Sequence, residues 1–384
     1  MAETPIYLDY NATTPTDPRV ADTMEPYLRD HFGNPSSGHI WGQRSREGVD
    51  RARAQVAALL QAKPEQVIFT SGGTEANNHA IVGAARLAQK RRPGTGHIVT
   101  SAVEHPAISA VCDHLLTQGL ETTAVGVDST GRVDPAAVAA ALRPDTFLVT
   151  VMLANNEVGT LQPIREIADL AREKGILSHS DCAQAVSKVP VGLVDLGVDM
   201  ISLAGHKVYG PKGVGALVLR PGVAVDNLMF GANHESGRRP GTENVLEIVG
   251  LGQACALIGE DLAHEMVHLA GLRDQLQELL LAGHPTARVN GHATERLPNT
   301  LSISFPGRVA GEILAHLPDV AVSAGAACHS EGVHISHVLT AMGVPVNYAL
   351  GTLRLSVGRM TQPGDITEGA ARLIRAVHAA PDHS

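Results

Sequence analysis

Short apolar runs of strand length alternate with longer stretches whose apolar positions recur at helical spacing. Residues 66–70 (QVIFT) read as a strand, and Ser71-Gly72-Gly73 leads from it into a helix starting at Thr74. Further strands are expected at 97–100, 122–127 and 147–152. A helix is predicted from Pro163, a favoured first-turn residue, to Lys174, with Gly175 ending it. Strands at 176–179, 200–203 and 214–219 follow. Such alternation predicts a mostly parallel sheet covered by helices. Past residue 250 or so the texture changes. Residues 254–282 read as helix, then come a strand at 300–305, a helix at 310–317, a strand at 320–323, a helix at 335–342 and a strand at 352–357. The expectation is an α/β protein with a large domain over 15–255 and a smaller α+β domain built from 1–14 and 256–384.

Composition narrows the function classes. Hydrophobic residues make up 44 % and charged residues 18 % of the 384, enough for a packed core and too apolar for disorder. Aromatics are only 3 %, so that core rests on Ala, Val, Leu and Ile. A formal charge of −9 disfavours a broad grip on nucleic acid or an anionic membrane. No apolar stretch reaches the ~18 residues of a membrane span, and the N-terminus lacks the basic start and apolar run of a signal peptide. Cys112, Cys182, Cys255 and Cys328 are widely spaced with no CxxC, which argues against disulfides or a zinc ribbon and for a reducing, cytoplasmic setting. There are 19 histidines but no ligand spacing such as HExxH, so no metal site is expected.

Five stretches carry candidate chemistry. Ser71-Gly72-Gly73-Thr74-Glu75-Ala76 follows a strand and opens a helix, a place where backbone N–H groups receive an anion, or simply a tight turn with a Thr cap. Asp181 follows a strand, where open α/β sheets put ligand contacts, or it caps a helix. Lys207 lies at the end of an apolar strand among glycines. If buried, its amine becomes a nucleophile suited to an aldehyde cofactor; otherwise it is a solvated loop lysine. Cys328 follows the small residues 324–327 and precedes His329, which favours either a reactive thiolate or an inert buried thiol. Arg354 and Ser356 share a strand face, placing Arg354 for carboxylate capture or for a structural salt bridge.

In this order, together with Tyr7-Leu8-Asp9-Tyr10-Asn11-Ala12-Thr13-Thr14-Pro15, Gly33-Asn34-Pro35-Ser36-Ser37, Glu104-His105, Asn155-Asn156-Glu157, Gln184, His206 and Arg239-Pro240-Gly241-Thr242-Glu243-Asn244, they resemble the NifS/IscS-type cysteine desulfurases and the related selenocysteine lyases. Both are fold-type I, class-V aminotransferase-like enzymes that use pyridoxal 5'-phosphate (PLP). The resemblance implies a PLP-dependent transferase fold and a homodimer. It implies Lys207 as covalent anchor and mover of the Cα proton, Asp181 on the pyridine nitrogen, and His105 stacked on the ring. Asn156 and Gln184 would contact the ring's oxygen side. Gly73, Thr74 and His206 would hold the phosphate, with Thr242 reaching the phosphate of the neighbouring subunit. Arg354 and Asn34 would hold the substrate carboxylate, and Cys328 would be the nucleophile. The implied reaction converts L-cysteine to L-alanine and leaves sulfur on Cys328 as a persulfide, for delivery to an acceptor protein, with iron–sulfur assembly, tRNA thiolation, thio-cofactor synthesis, DNA phosphorothioation and selenium recycling as candidate destinations.

Ala204 stands where desulfurases commonly have a phosphate-binding Ser, and His329 where many have Thr. These positions, with 152–157, 239–244, 325–330 and 353–359, lean toward selenocysteine lyase, which releases selenium from L-selenocysteine. A class-V aminotransferase or kynureninase-like lyase would have no use for Cys328. A non-catalytic sulfur-carrier scaffold is the reading outside enzymes.

Overall fold

The computed structural model describes residues 5–329 and 332–383, with the side chains of 326–329 and 332–334 outside the description. A short strand, β1 (Ile6–Tyr7), precedes seven strands of one sheet: β2 (Val67–Thr70), β3 (His97–Ser101), β4 (Glu121–Val125), β5 (Thr146–Thr150), β6 (Leu177–Asp181), β7 (Met200–Ala204) and β8 (Gly215–Leu219). Their order is β2-β8-β7-β6-β5-β3-β4. From β7 through β6, β5 and β3 to β4 every pairing is parallel, while β8 runs antiparallel to both β7 and β2. β2, β3, β7 and β8 are buried at every position, the signature of a sheet covered on both faces.

The C-terminal part adds β9 (Arg288–Asn290), β10 (Thr300–Ser304), β11 (Val320–Ala321), β12 (Ser323–Ala324), β13 (Ala326–His329), β14 (Gly332–Ile335) and β15 (Thr352–Ser356). Four of these form an antiparallel sheet in the order β12-β15-β10-β9. β11 pairs in parallel with β1, tying the N-terminus into this part, and β13–β14 is a separate hairpin.

Two of the apolar cores meet along one helix, Val245–Gly283. Its Ile248, Leu251 and Ile258 pack into the core on one face of the large sheet. Its Leu269, Leu272, Leu276 and Leu280 pack with β10, β15, Leu8 and the helix Pro363–Ala379. A third cluster covers the other face of the large sheet under the helices Gly73–Arg91 and Pro106–Leu116.

Most expected elements appear with ends displaced by one or two residues. Three differ more. The helix expected from residue 254 begins at Val245, where Asn244 Oδ1 accepts the Glu247 N–H and caps it. The strand expected at 320–323 is two strands in two sheets, because β11 pairs with β1 and β12 with β15. The helix expected at 335–342 is shortened to His337–Ala341, since Ile335 completes β14 and Ser336 caps the helix. Among the described residues no helix is long and apolar enough to cross a membrane.

Candidate active site

The carboxyl edge of the parallel strands gathers the chemistry, as expected for an open α/β sheet. Past β2, the turn at Ser71-Gly72 opens the helix Gly73–Arg91. β3 leads to His105, the cap of the helix Pro106–Leu116, and β5 leads to Asn156. β6 ends on Asp181, and β7 runs into the 3-10 turn Gly205–Lys207. They surround a cavity of about 310 Å³, and Arg354 from β15 closes its other wall.

Lys207 is the electrostatic centre. Its Nζ donates to the carbonyls of Asn11 at 2.5 Å and Ala12 at 2.8 Å. Burial, helped by the positive charge of Arg354, lowers its pKa to about 8, with Asp9 and Asp181 acting in the opposite sense. Its neighbour His206 shares a hydrogen bond with Thr13 Oγ1 at 3.1 Å. Burial and the nearby lysines hold that imidazole neutral, with a pKa of about 4.

Asp181 is buried and doubly held. Its Oδ2 accepts from Asn77 Nδ2 at 2.7 Å and its Oδ1 from the Ala183 N–H at 2.9 Å. His105 Nδ1 accepts the Ala107 N–H at 3.1 Å, which leaves Nε2 as the proton-bearing nitrogen of the neutral ring. Burial lowers its pKa, and Lys207 and His337 push the same way. Behind it, Glu104 Oε1 accepts from Ser101 Oγ at 2.5 Å and from the Met152 N–H at 3.0 Å. Burial raises the Glu104 pKa to about 8, and Asp181 adds to the rise. The helix His337–Ala341 is tied to this wall by His337 Nε2 on the Glu104 carbonyl at 2.9 Å.

Arg354 takes the salt-bridge reading and lines the cavity as well. It makes a salt bridge to Asp9 Oδ1 at 2.7 Å, and it also donates to Ser323 Oγ at 2.7 Å and to the Asn156 carbonyl at 3.1 Å. Its Nε is buried with no hydrogen-bond partner among the described residues.

Gly73, Thr74, His105, Asn156, Asp181, Gln184, His206, Lys207 and Arg354 all line the one cavity. Thr242 and Asn34 do not. Thr242 is exposed on a second cavity of about 240 Å³, beside Ser71 and Arg239. Asn34 is exposed, and its Oδ1 accepts the Ser36 N–H at 2.9 Å. The Cys328 side chain lies outside the described residues. Its backbone is in β13 opposite Val333, in a hairpin that springs from the β12 edge beside Arg354. The other three thiols are buried, and burial pushes Cys112 and Cys255 up to about 12 and Cys182 higher still. Among the described residues no group of three or more His, Cys, Asp or Glu could hold a metal ion.

Residues 6–368 match the family model for aminotransferase class V. Over 94 % of its length the chain is 43 % identical to the cysteine desulfurase IscS of Dictyoglomus turgidum, covering 91 % of that protein. It is 45 % identical to a cysteine desulfurase of a Nostoc species, covering 94 % of this chain and 90 % of that one. The chain belongs to the cysteine desulfurase family of class-V aminotransferases. Among solved structures, a NifS-like protein superposes with a TM-score of 0.91 at 34 % identity, covering 98 % of this chain and 100 % of that one. DndA from Streptomyces lividans superposes at 0.77 with 37 % identity, covering 93 % and 98 %. The fold is thus the fold-type I architecture of this family, with a mostly parallel sheet and a smaller C-terminal part. The lean toward selenocysteine lyase is corrected here, because these curated family members are desulfurases.

The family motifs left several supporting residues unsingled. Asn77 holds Asp181, and it lies one helical turn from Gly73 and Thr74, a spacing the sequence displays. Asn11, whose carbonyl receives Lys207, lay in the N-terminal motif without a role. Lys188 and Glu104 carried no signal of burial at all.

Proposed function

We propose that this chain is a PLP-dependent cysteine desulfurase that converts L-cysteine to L-alanine and receives the sulfur on Cys328. The observation that carries this is one cavity in which a half-buried lysine of lowered pKa faces a buried, doubly held carboxylate.

The residues fit PLP. The first N–H groups of the helix Gly73–Arg91 are free of helix partners and suit a phosphate. A Cβ on Gly73 would come within 3.2 Å of the Ala204 Cβ, so glycine keeps that cradle open. Thr74 and His206 would complete it, with Thr242 contributed across a homodimer interface. Ala204 has no hydroxyl to offer, so backbone donors take a larger share. Asp181 would hold the pyridine N–H, His105 would cover the ring face, and Asn156 and Gln184 would meet its oxygen. Bound there, PLP supplies an electron sink that acidifies the substrate Cα–H and weakens its Cβ–Sγ bond.

The protein's own tasks follow from position. Arg354, with Asn34, binds the substrate carboxylate and so fixes which Cα bond stands across the ring. The Lys207 amine takes the Cα proton and returns it. The Cys328 thiolate attacks the substrate Sγ. A sulfur–sulfur bond forms, the Cβ–Sγ bond breaks with its electron pair left on carbon, and protonation of that carbon yields alanine. The burial of the other three cysteines supports Cys328 as nucleophile. Cysteine as substrate is supported by SspA, a solved relative in complex with cysteine, at 34 % identity and a TM-score of 0.79 over 92 % of this chain and 98 % of that one. The free thiols suit a cytoplasmic protein handing sulfur to an acceptor.

The test compares purified variants with L-cysteine. Lys207→Ala is expected to lose the visible band of the bound cofactor and all turnover. Cys328→Ala should keep the band, lose alanine formation from cysteine and show no persulfide by mass spectrometry. Full cysteine turnover by Cys328→Ala removes Cys328 as nucleophile. No visible band in the parent protein would leave the sulfur-carrier scaffold.

A further inference from the structure

The turn after β6 carries a lysine that no step above uses. Lys188 is only 3 % exposed. Its Nζ donates to the Gln184 carbonyl at 3.1 Å and, at the long limit of 3.5 Å, to Gln184 Oε1. Both acceptors belong to one residue. Gln184 in turn donates from Nε2 to the Asn11 carbonyl at 2.8 Å. That same carbonyl accepts Lys207 Nζ. Lys188 therefore stands one hydrogen bond behind the cavity-lining Gln184 and three behind the central lysine.

The two ends of a glutamine amide are nearly equal in shape, so the hydrogen bonds decide which way it points. A peptide carbonyl only accepts, so Asn11 requires the nitrogen end. An ammonium only donates, so Lys188 requires the oxygen end. Even as the neutral amine, which burial favours by lowering its pKa to about 7, Lys188 keeps N–H donors for both oxygens. With the oxygen engaged behind, the second N–H of Gln184 is left for an acceptor in the cavity that Gln184 lines. Local backbone explains how a lysine comes to lie there. Ser187 takes a left-handed φ of 78°, and its hydroxyl donates to the Lys207 carbonyl at 3.4 Å. The reversal at Ser187 folds Lys188 back beneath Gln184, where its N–H bonds the Ala185 carbonyl at 2.9 Å.

We propose that Lys188 is a positioning residue, which fixes the Gln184 amide so that an N–H, and not an oxygen, faces the ring oxygen of the cofactor. This rests on the functional reading above. A lysine with a purely structural role would give way to an apolar group without disturbing the site.

The readout is the pH midpoint of the visible absorption band in the PLP-loaded protein, with the dissociation constant for PLP measured alongside. Gln184→Ala is expected to raise the midpoint, because the ring oxygen loses a donor and holds its proton more tightly. Lys188→Met should raise it by about one pH unit, a tenfold change in proton affinity, and weaken PLP binding. Lys188→Gln, which keeps an N–H donor without the charge, should retain the parent midpoint. Adding Lys188→Met to Gln184→Ala should move the midpoint no further. An unmoved midpoint in Lys188→Met overturns the proposal, and so does a full shift in the Gln184→Ala background, which would mean that Lys188 acts through its charge alone. Lys188→Ala carries the same expectations if the Met variant does not fold. Absence of a visible band in the parent protein overturns the functional reading and this inference together, whereas a band with an unmoved midpoint overturns this inference alone.

Discussion

Glu104 puts a buried carboxyl directly behind the ring-stacking candidate His105, and its titration has a definite sign. Burial lifts its pKa from an ordinary 4.5 to about 8. Between those values the native state binds more protons than the unfolded chain, so stability falls as pH rises through that window and levels off above it. Glu104→Gln keeps an acceptor for Ser101 and Met152 and removes the titration. Thermal melts should find the variant close to the parent at pH 5 and increasingly more stable than it up to pH 8. A gap that does not change with pH would show that Glu104 is not a buried acid. Legibility divides cleanly at this scale. Asp181 and Lys207 stood out because each sits at the end of an apolar strand, and Arg354 because alternation puts it on one face of β15. Glu104 was visible as a letter beside His105, but its burial arises from β3 and β5 being neighbours in the sheet. Asn77 meets Asp181 across 104 positions and Asn11 meets Lys207 across 196, and no local pattern encodes such pairings.

Among elements, the opening of the helix Gly73–Arg91 is the tightest constraint. The Cα of Gly73 faces the Ala204 methyl, so Gly73→Ala brings two methyl groups to 3.2 Å where the cradle must stay open. The variant should fold with an unchanged circular dichroism spectrum and bind PLP at least about tenfold more weakly, a loss of about 1.4 kcal/mol. Equal affinity, measured by titrating the apoprotein, would move the phosphate away from this turn. The strand–helix alternation that announced this element also announced the large sheet, since buried parallel strands write themselves as continuous apolar runs. β11 and β12 were read as one strand because two-residue strands have no period to separate them. Their identity comes from partners in β1 and β15, at opposite ends of the chain.

At the scale of the whole molecule, Thr242 lies exposed away from the main cavity. On the homodimer reading it serves the neighbouring subunit's phosphate. Thr242→Asp should then lose PLP through charge repulsion, and Lys207→Ala should be inactive for want of its anchor. Mixing the two inactive proteins under conditions that allow subunit exchange should restore cysteine turnover, because some mixed dimers carry one intact site. A mixture as inactive as its components would mean that Thr242 acts within its own subunit, and an active Thr242→Asp protein would place it outside the site. The change of texture past residue 250 coincides with the strands of a second sheet, β12-β15-β10-β9. What the sequence did not display is how firmly the parts are joined. Arg359, just after β15, reaches both Asp17 at 2.8 Å and Glu265 at 2.7 Å, and its guanidinium lies 4.3 Å over the Tyr209 ring.

The helix Val245–Gly283 has a consequence for how the enzyme closes on its substrate. Its 39 residues form an unbroken rod of about 58 Å, with one end in the core behind Lys207 and the other in the core behind Arg354. A shared axle of this kind leaves no swivel point at which the two walls of the cavity could rotate apart and together. Sequestering the substrate from water falls to short segments at the cavity mouth. The radius of gyration in small-angle scattering should therefore be the same with and without saturating cysteine. A compaction on adding it would mean that the axle bends.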